Sequence, residues 1–233
     1  MKKILLLLFV AFLVCGTMGA ANALILDSSI GTWSNPVGGS PINYFSVANP
    51  EYNNRIENQI RWGEPAGVLQ SGLGFTGVAP PPYVFNVGEA FEVGQLRHFN
   101  YPTFNALSGV DLAISLSFAD PAGLNGSFDF TFTVNETPNN TGGSGDDDFI
   151  YFPSSFANET FDIGGVEYTL ELLGFGPSAD SLVDQFRSTE GRTNSTLLWG
   201  KITTPPPVPE PATMLLFGFG LVGLLGVSRK FKN

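Results

Sequence analysis

Cysteine, histidine and charge are all scarce in this chain. Of its 233 residues, one is cysteine (Cys15), one is histidine (His98) and only 14% are charged. A single cysteine excludes an internal disulfide. Cys15 also lies in an N-terminal apolar run expected to be removed, so the mature chain has no thiolate for catalysis or metal binding. An exported domain of this kind must be held by its core, and about 180 residues are enough for one. Basic residues number 11 against 21 acidic ones. A net charge of −10 leaves little electrostatic attraction for nucleic acid. What is abundant is phenylalanine, at 21 residues, with 28 glycines and 17 prolines. So many aromatics with so few charges exclude a disordered chain, and the spread of Gly and Pro excludes a helical bundle.

The charge is distributed unevenly. Residues 24 to 208 hold six bases and twenty acids, a formal −14, while both ends are apolar and basic. Lys2 and Lys3 precede an apolar run from Ile4 to Val14, and small residues then lead to Ala21-Asn22-Ala23. A basic start, a short apolar stretch and an A-x-A site define a signal peptide over residues 1–23, with cleavage after Ala23. Val14 stands where a lipobox before Cys15 needs a small residue, which weakens a lipoprotein reading. At the other end, residues 205–211 form a Pro-rich linker that closes in Val208-Pro209-Glu210-Pro211. Residues 212–228 read as a membrane helix and 229–233 as its basic tail. The uncharged run from Ala212 to Val227 spans roughly 24 Å as a helix, against the ~30 Å of a hydrocarbon core. Arg229, Lys230 and Lys232 can snorkel to cover the difference, and their charge keeps them cytoplasmic with the acidic middle outside.

Val208-Pro209-Glu210-Pro211, the apolar segment and the Arg/Lys tail together resemble the PEP-CTERM sorting signal of Gram-negative bacteria. The resemblance implies export and a transient hold in the inner membrane. Processing by an exosortase, a membrane-embedded cysteine protease, then releases or re-anchors the chain at the cell surface or in extracellular matrix. It also implies a setting of exopolysaccharide or biofilm.

The middle of the chain, residues 24–204, alternates with period two. Val110, Leu112, Ile114, Leu116 and Phe118 share one face, and Asp111, Ala113, Ser115 and Ser117 the other. Phe128, Phe130, Phe132 and Val134 repeat the pattern, as do Val166, Tyr168, Leu170 and Leu172. Alternation of this kind marks strands with one buried face. Gly164-Gly165 reads as a hairpin turn, and Asp120-Pro121-Ala122-Gly123 with Asn125-Gly126 as another connection. Shorter strands are expected over 58–62, 83–87, 96–99, 150–152 and 197–203. The expectation is a single antiparallel β-sandwich, jelly-roll-like, between the two terminal segments. The one helical hint runs from Ala179 to Phe186.

A second resemblance rests on Gly31-Thr32-Trp33, Asn58-Gln59-Ile60-Arg61-Trp62-Gly63, Ser71-Gly72-Leu73-Gly74-Phe75-Thr76-Gly77, Leu96-Arg97-His98-Phe99-Asn100-Tyr101-Pro102 and Glu136-Thr137-Pro138-Asn139-Asn140. Together these resemble the choice-of-anchor K domain, also met as the THxN family of PEP-CTERM proteins. The name motif Thr-His-x-Asn stands here as Arg97-His98-Phe99-Asn100. His98 and Asn100 remain, and Arg97 replaces the threonine. The resemblance carries no established biochemical activity.

No catalytic constellation is evident. His98 lacks a G-x-S-x-G serine for a triad and a second histidine for a zinc site. It reads as structural, hydrogen-bonding backbone with Asn100 where a strand ends before Pro102. Asp146-Asp147-Asp148 is the densest charge in the chain and follows a Gly-rich stretch. It reads as a solvated acidic loop tip. Its alternative is a calcium site, which fits oxygen ligands but not the EF-hand spacing. Trp33, Trp62, Trp199 and Tyr44 are the aromatics able to stack on sugar rings. The resulting expectation is a non-enzymatic exported protein with a structural or binding role. A carbohydrate-binding module or adhesin, calcium-dependent or not, is the alternative, and a polysaccharide-active enzyme the more distant one.

Overall fold

The computed structural model describes residues 23–78, 83–120, 125–137, 146–153, 160–163 and 166–204. The signal peptide up to Asn22 and the linker, helix and tail beyond Thr204 lie outside them. Two antiparallel sheets pack face to face. The first takes the order β12-β9-β8-β7-β1-β5 and the second β10-β11-β13-β6-β4-β3-β2. Among the described residues there is no α-helix, and none long and apolar enough to cross a membrane.

The three alternating runs form long strands. β7 (Leu107–Asp120) and β8 (Asn125–Asn135) pair so that Leu112 lies opposite Phe130 and Ile114 opposite Phe128. All four side chains are buried, while Asp129, Thr131 and Thr133 face solvent. β11 (Val166–Phe175) does the same in the second sheet with Tyr168, Leu170 and Leu172. It pairs with β10 (Thr160–Ile163), Ile163 opposite Val166, and the expected turn at Gly164-Gly165 lies outside the described residues.

Phenylalanine joins the layers. Phe132 of β8 meets Trp33 of β1 (Ala23–Gly38) edge-on at 6.4 Å and Phe175 of β11 at 6.1 Å. Phe85 of β5 (Tyr83–Asn86) stacks on Phe91 of β6 (Ala90–Asn100) across the sandwich, 4.1 Å between centroids. Such ring pairs add specificity to plain area burial.

Several strands exceed or escape the sequence expectation. β1 runs 16 residues, bent by register shifts near Leu26 and Val37, and is polar enough to hide its pattern. β2 (Ile42–Asn49) is an edge strand exposed on both faces, and β3 (Arg55–Trp62) and β4 (Ser71–Gly77) follow it inward. β13 (Arg192–Thr203) lies between β11 and β6, and β9 (Asp148–Tyr151) between β8 and β12 (Gln185–Ser188). The helical hint at 179–186 is not realised. Val183 bridges to Phe175 and Gln185 opens β12, because Phe186 packs against the core from an extended chain.

Candidate functional site

β6 sits between β13 and β4 in the second sheet, so its alternating side chains face two environments. Arg97 and Phe99 lie on the outer face, and Leu96, His98 and Asn100 on the inner one. Asn100 donates from Nδ2 to the carbonyl of Ser188 at 2.9 Å, the backbone role expected of it. His98 differs from its expected role. It is fully buried and neither ring nitrogen has a hydrogen-bond partner. Its backbone pairs with Leu73 of β4 and Asn194 of β13. Instead the imidazole stacks on Trp62, 5.9 Å between centroids and 21° between planes.

Carboxylates converge on this ring. Glu136 follows β8, and its Oε1 accepts from Trp62 Nε1 at 2.5 Å and from Ser71 Oγ at 3.0 Å. Asp148 opens β9, and its Oδ1 accepts from the Thr137 amide at 2.7 Å and from Thr137 Oγ1 at 3.2 Å. One ligand atom from each of His98, Glu136 and Asp148 lies within 4.8 Å of the others. Glu190, between β12 and β13, adds a further carboxylate close to Asp148.

The solvated acidic tip read from the sequence is therefore corrected. Asp146, Asp147 and Asp148 are 3%, 4% and 1% exposed, because they lead into and open β9, an interior strand of the first sheet. They also part company. Asp147 binds Arg187 through Nη2 at 2.5 Å and Nε at 2.8 Å, whereas Asp148 turns to His98 and Glu136.

Crowding of like charge away from water disfavours ionisation. Burial pushes Glu136 up to about 7, with Glu190 nearby adding to the effect. Asp148 also rises to about 7, through burial and then the neighbouring Glu136. Glu190 reaches about 7 by burial and the charge of Asp148. Burial lowers His98 to about 3, helped by Arg61, so its imidazole is neutral at physiological pH. Sequence reasoning missed Glu136 and Glu190. Glu136 opens one of the segments quoted above, but nothing in the chain marks Glu190 as a neighbour of Glu136 and Asp148.

The outer face of the second sheet is a different environment. Arg97 is 8% exposed and pairs with fully buried Glu57 and with Glu51, each at 3.3 Å. Arg61 lies flat over Phe99, 3.4 Å from the ring centroid, and donates from Nε to Gln59 at 3.0 Å. Beside them runs a trough of about 520 Å³ lined by Phe45, Val47, Gln59, Arg61, Gln70 and Tyr101. A second depression of about 460 Å³, lined by Tyr44, Phe45, Ser46 and Asn58, continues it around edge strand β2. Of the aromatics expected to stack on sugars, Trp33 and Trp62 are core residues and Trp199 is half-buried with Nε1 donating to Gly176. Tyr44 is exposed.

Comparison with known proteins finds the PEP-CTERM protein-sorting motif at residues 207–230. No curated protein matches the chain. The motif marks an exosortase substrate, exported and transiently anchored in the membrane before release to the cell surface. The chain is thus an all-β sandwich carrying a PEP-CTERM sorting end.

Proposed function

We propose that the sandwich acts at the cell surface or in extracellular matrix as a non-enzymatic glycan-binding and structural element, linked to exopolysaccharide. The likeness of its segments to the choice-of-anchor K domain agrees with this setting. The observation that carries the reading is the trough around β2. Phe45 is 46% exposed beside the amide groups of Gln59 and Gln70 and a guanidinium held in place by Phe99, and Tyr44, 54% exposed, lines the adjoining depression. Aromatic rings for the apolar faces of sugars, with a few fixed polar groups for hydroxyls, are what a carbohydrate site needs. Catalysis on a polysaccharide has no comparable support. The carboxylates with raised pKa values gather beside a fully buried histidine, away from the residues that line the trough.

A glycan array probed with the full-length chain in detergent tests the reading. Binding is expected to bacterial exopolysaccharide fragments and to fall at least tenfold in Phe45→Ala and Arg61→Ala. A blank array, or binding untouched by both substitutions, overturns it.

A further inference from the structure

We propose that His98, Glu136 and Asp148 form a binding site for a divalent first-row transition metal, zinc being the best match, with Glu190 as a further acid beside it. Four observations converge. The first is an unpartnered ligand. His98 is fully enclosed with both nitrogens unbonded, and a buried polar group in that state is costly unless something binds it.

The second is the way the two carboxylates are held. Among the described residues, the hydrogen bonds to Glu136 fall on Oε1 and those to Asp148 on Oδ1. Each acid is anchored by one oxygen and presents the other, and Asp148 Oδ2 is buried and unbonded. Anchoring of this kind is how an outer shell orients metal ligands. Trp62 serves twice, stacking on His98 and donating to Glu136.

The third is charge. Among the described residues no cation forms an ion pair with Glu136, Asp148 or Glu190. Arg187 is taken by Asp147, and Arg61 lies over Phe99 on the outer face of the sheet. A bound dication would neutralise what no side chain does.

The fourth is donor chemistry. A neutral imidazole with carboxylate oxygens suits zinc and its neighbours, whereas calcium and magnesium take oxygen ligands alone. Ligand atoms in a tetrahedral zinc site lie about 3.3 Å apart at bond lengths of 2.0–2.1 Å. The present separations of up to 4.8 Å close by small side-chain rotations.

The consequence is structural. His98 belongs to the second sheet, and Asp148 to the first, with Glu136 following a strand of the first. The metal would clamp the two layers together in a chain that has no disulfide to do so.

The test uses the untagged full-length chain in detergent, stripped with a chelator and titrated with zinc chloride by calorimetry. One equivalent is expected to bind, raising Tm by about 5–10 °C at a hundredfold excess over Kd. Cobalt in place of zinc should give the visible absorption of a nitrogen- and oxygen-ligated ion. Asp148→Asn and Glu136→Gln keep the shape while removing one crowded charge. Both should melt at or above the metal-free parent in chelator, yet lose the zinc-dependent rise and weaken binding at least a hundredfold. His98→Gln should abolish the cobalt spectrum. The proposal is overturned by an absence of zinc binding, by zinc binding that survives all three substitutions, or by equal stabilisation from calcium.

Discussion

Arg97 is a charged side chain held almost entirely out of solvent. It projects from β6 to the opposite face from His98, into a layer of Glu51, Glu57, Asn49 and Gln59. Glu57 is fully buried and its carboxylate accepts from Arg97 and Gln59. Removing the cation leaves a buried anion without its counter-charge, which costs more than the pair itself contributes. Arg97→Met is therefore expected to lower unfolding free energy by about 3 kcal/mol in urea titration, and Glu57→Gln placed on top should recover at least half of that. A loss under about 0.5 kcal/mol would mean that solvent already screens the pair. The same alternation explains what was legible of the interior cluster. His98 stood out as the single histidine, but Glu136 and Asp148 lie far along the chain and come near it only because β8 and β9 of the first sheet face β6 of the second. The missing second histidine argued against zinc, since sequence offers no way to see carboxylates folding onto a lone imidazole.

Long strands were readable and glycine-rich ones were not, for a physical reason. β7, β8 and β11 each bury one apolar face, so their period survives in the sequence. β4 reads Ser71-Gly72-Leu73-Gly74-Phe75-Thr76-Gly77 and offers only Thr76 as an outward side chain, too little to show alternation. Its glycines mark close approaches instead. A methyl at Gly74 would lie 2.5 Å from the Glu57 carboxyl carbon, and one at Gly72 would run into Arg61, so both positions make room for the polar layer. Gly77 serves the other side. There β1 and β4, members of different sheets, come nearly into backbone contact. Ser29 N donates to Val78 O at 2.9 Å, and Ser29 Oγ to Val93 O at 2.5 Å. A Cβ at Gly77 would overlap the Ser29 carbonyl, a backbone atom that cannot rotate away. Gly77→Ala should thus cost about 2 kcal/mol in urea unfolding and break the protection of the Ser29 amide in hydrogen exchange. An unchanged midpoint would show that β1 moves aside freely.

The described residues stop at Thr204, just before the Pro-rich stretch, and the matched sorting motif begins at Pro207. β13 ends at Thr203, its last residues paired with β11, so the sandwich is complete before the motif starts. Fold and address occupy separate stretches of chain. Their separation makes a two-part expectation. Replacing Pro209 and Glu210 together with alanine changes the motif's only acidic residue and one of the two prolines flanking it, and touches no described strand. The substituted chain should keep the thermal unfolding of the parent within about 1 °C, since substitutions remote from buried features rarely move stability. In cells that carry an exosortase it should remain in the membrane fraction at its unprocessed mass, while the parent is found processed outside. Normal processing of the double variant would mean that recognition rests on the apolar segment and basic tail alone. A lowered Tm would mean that the linker packs on the sandwich, and the two functions would then no longer be separable.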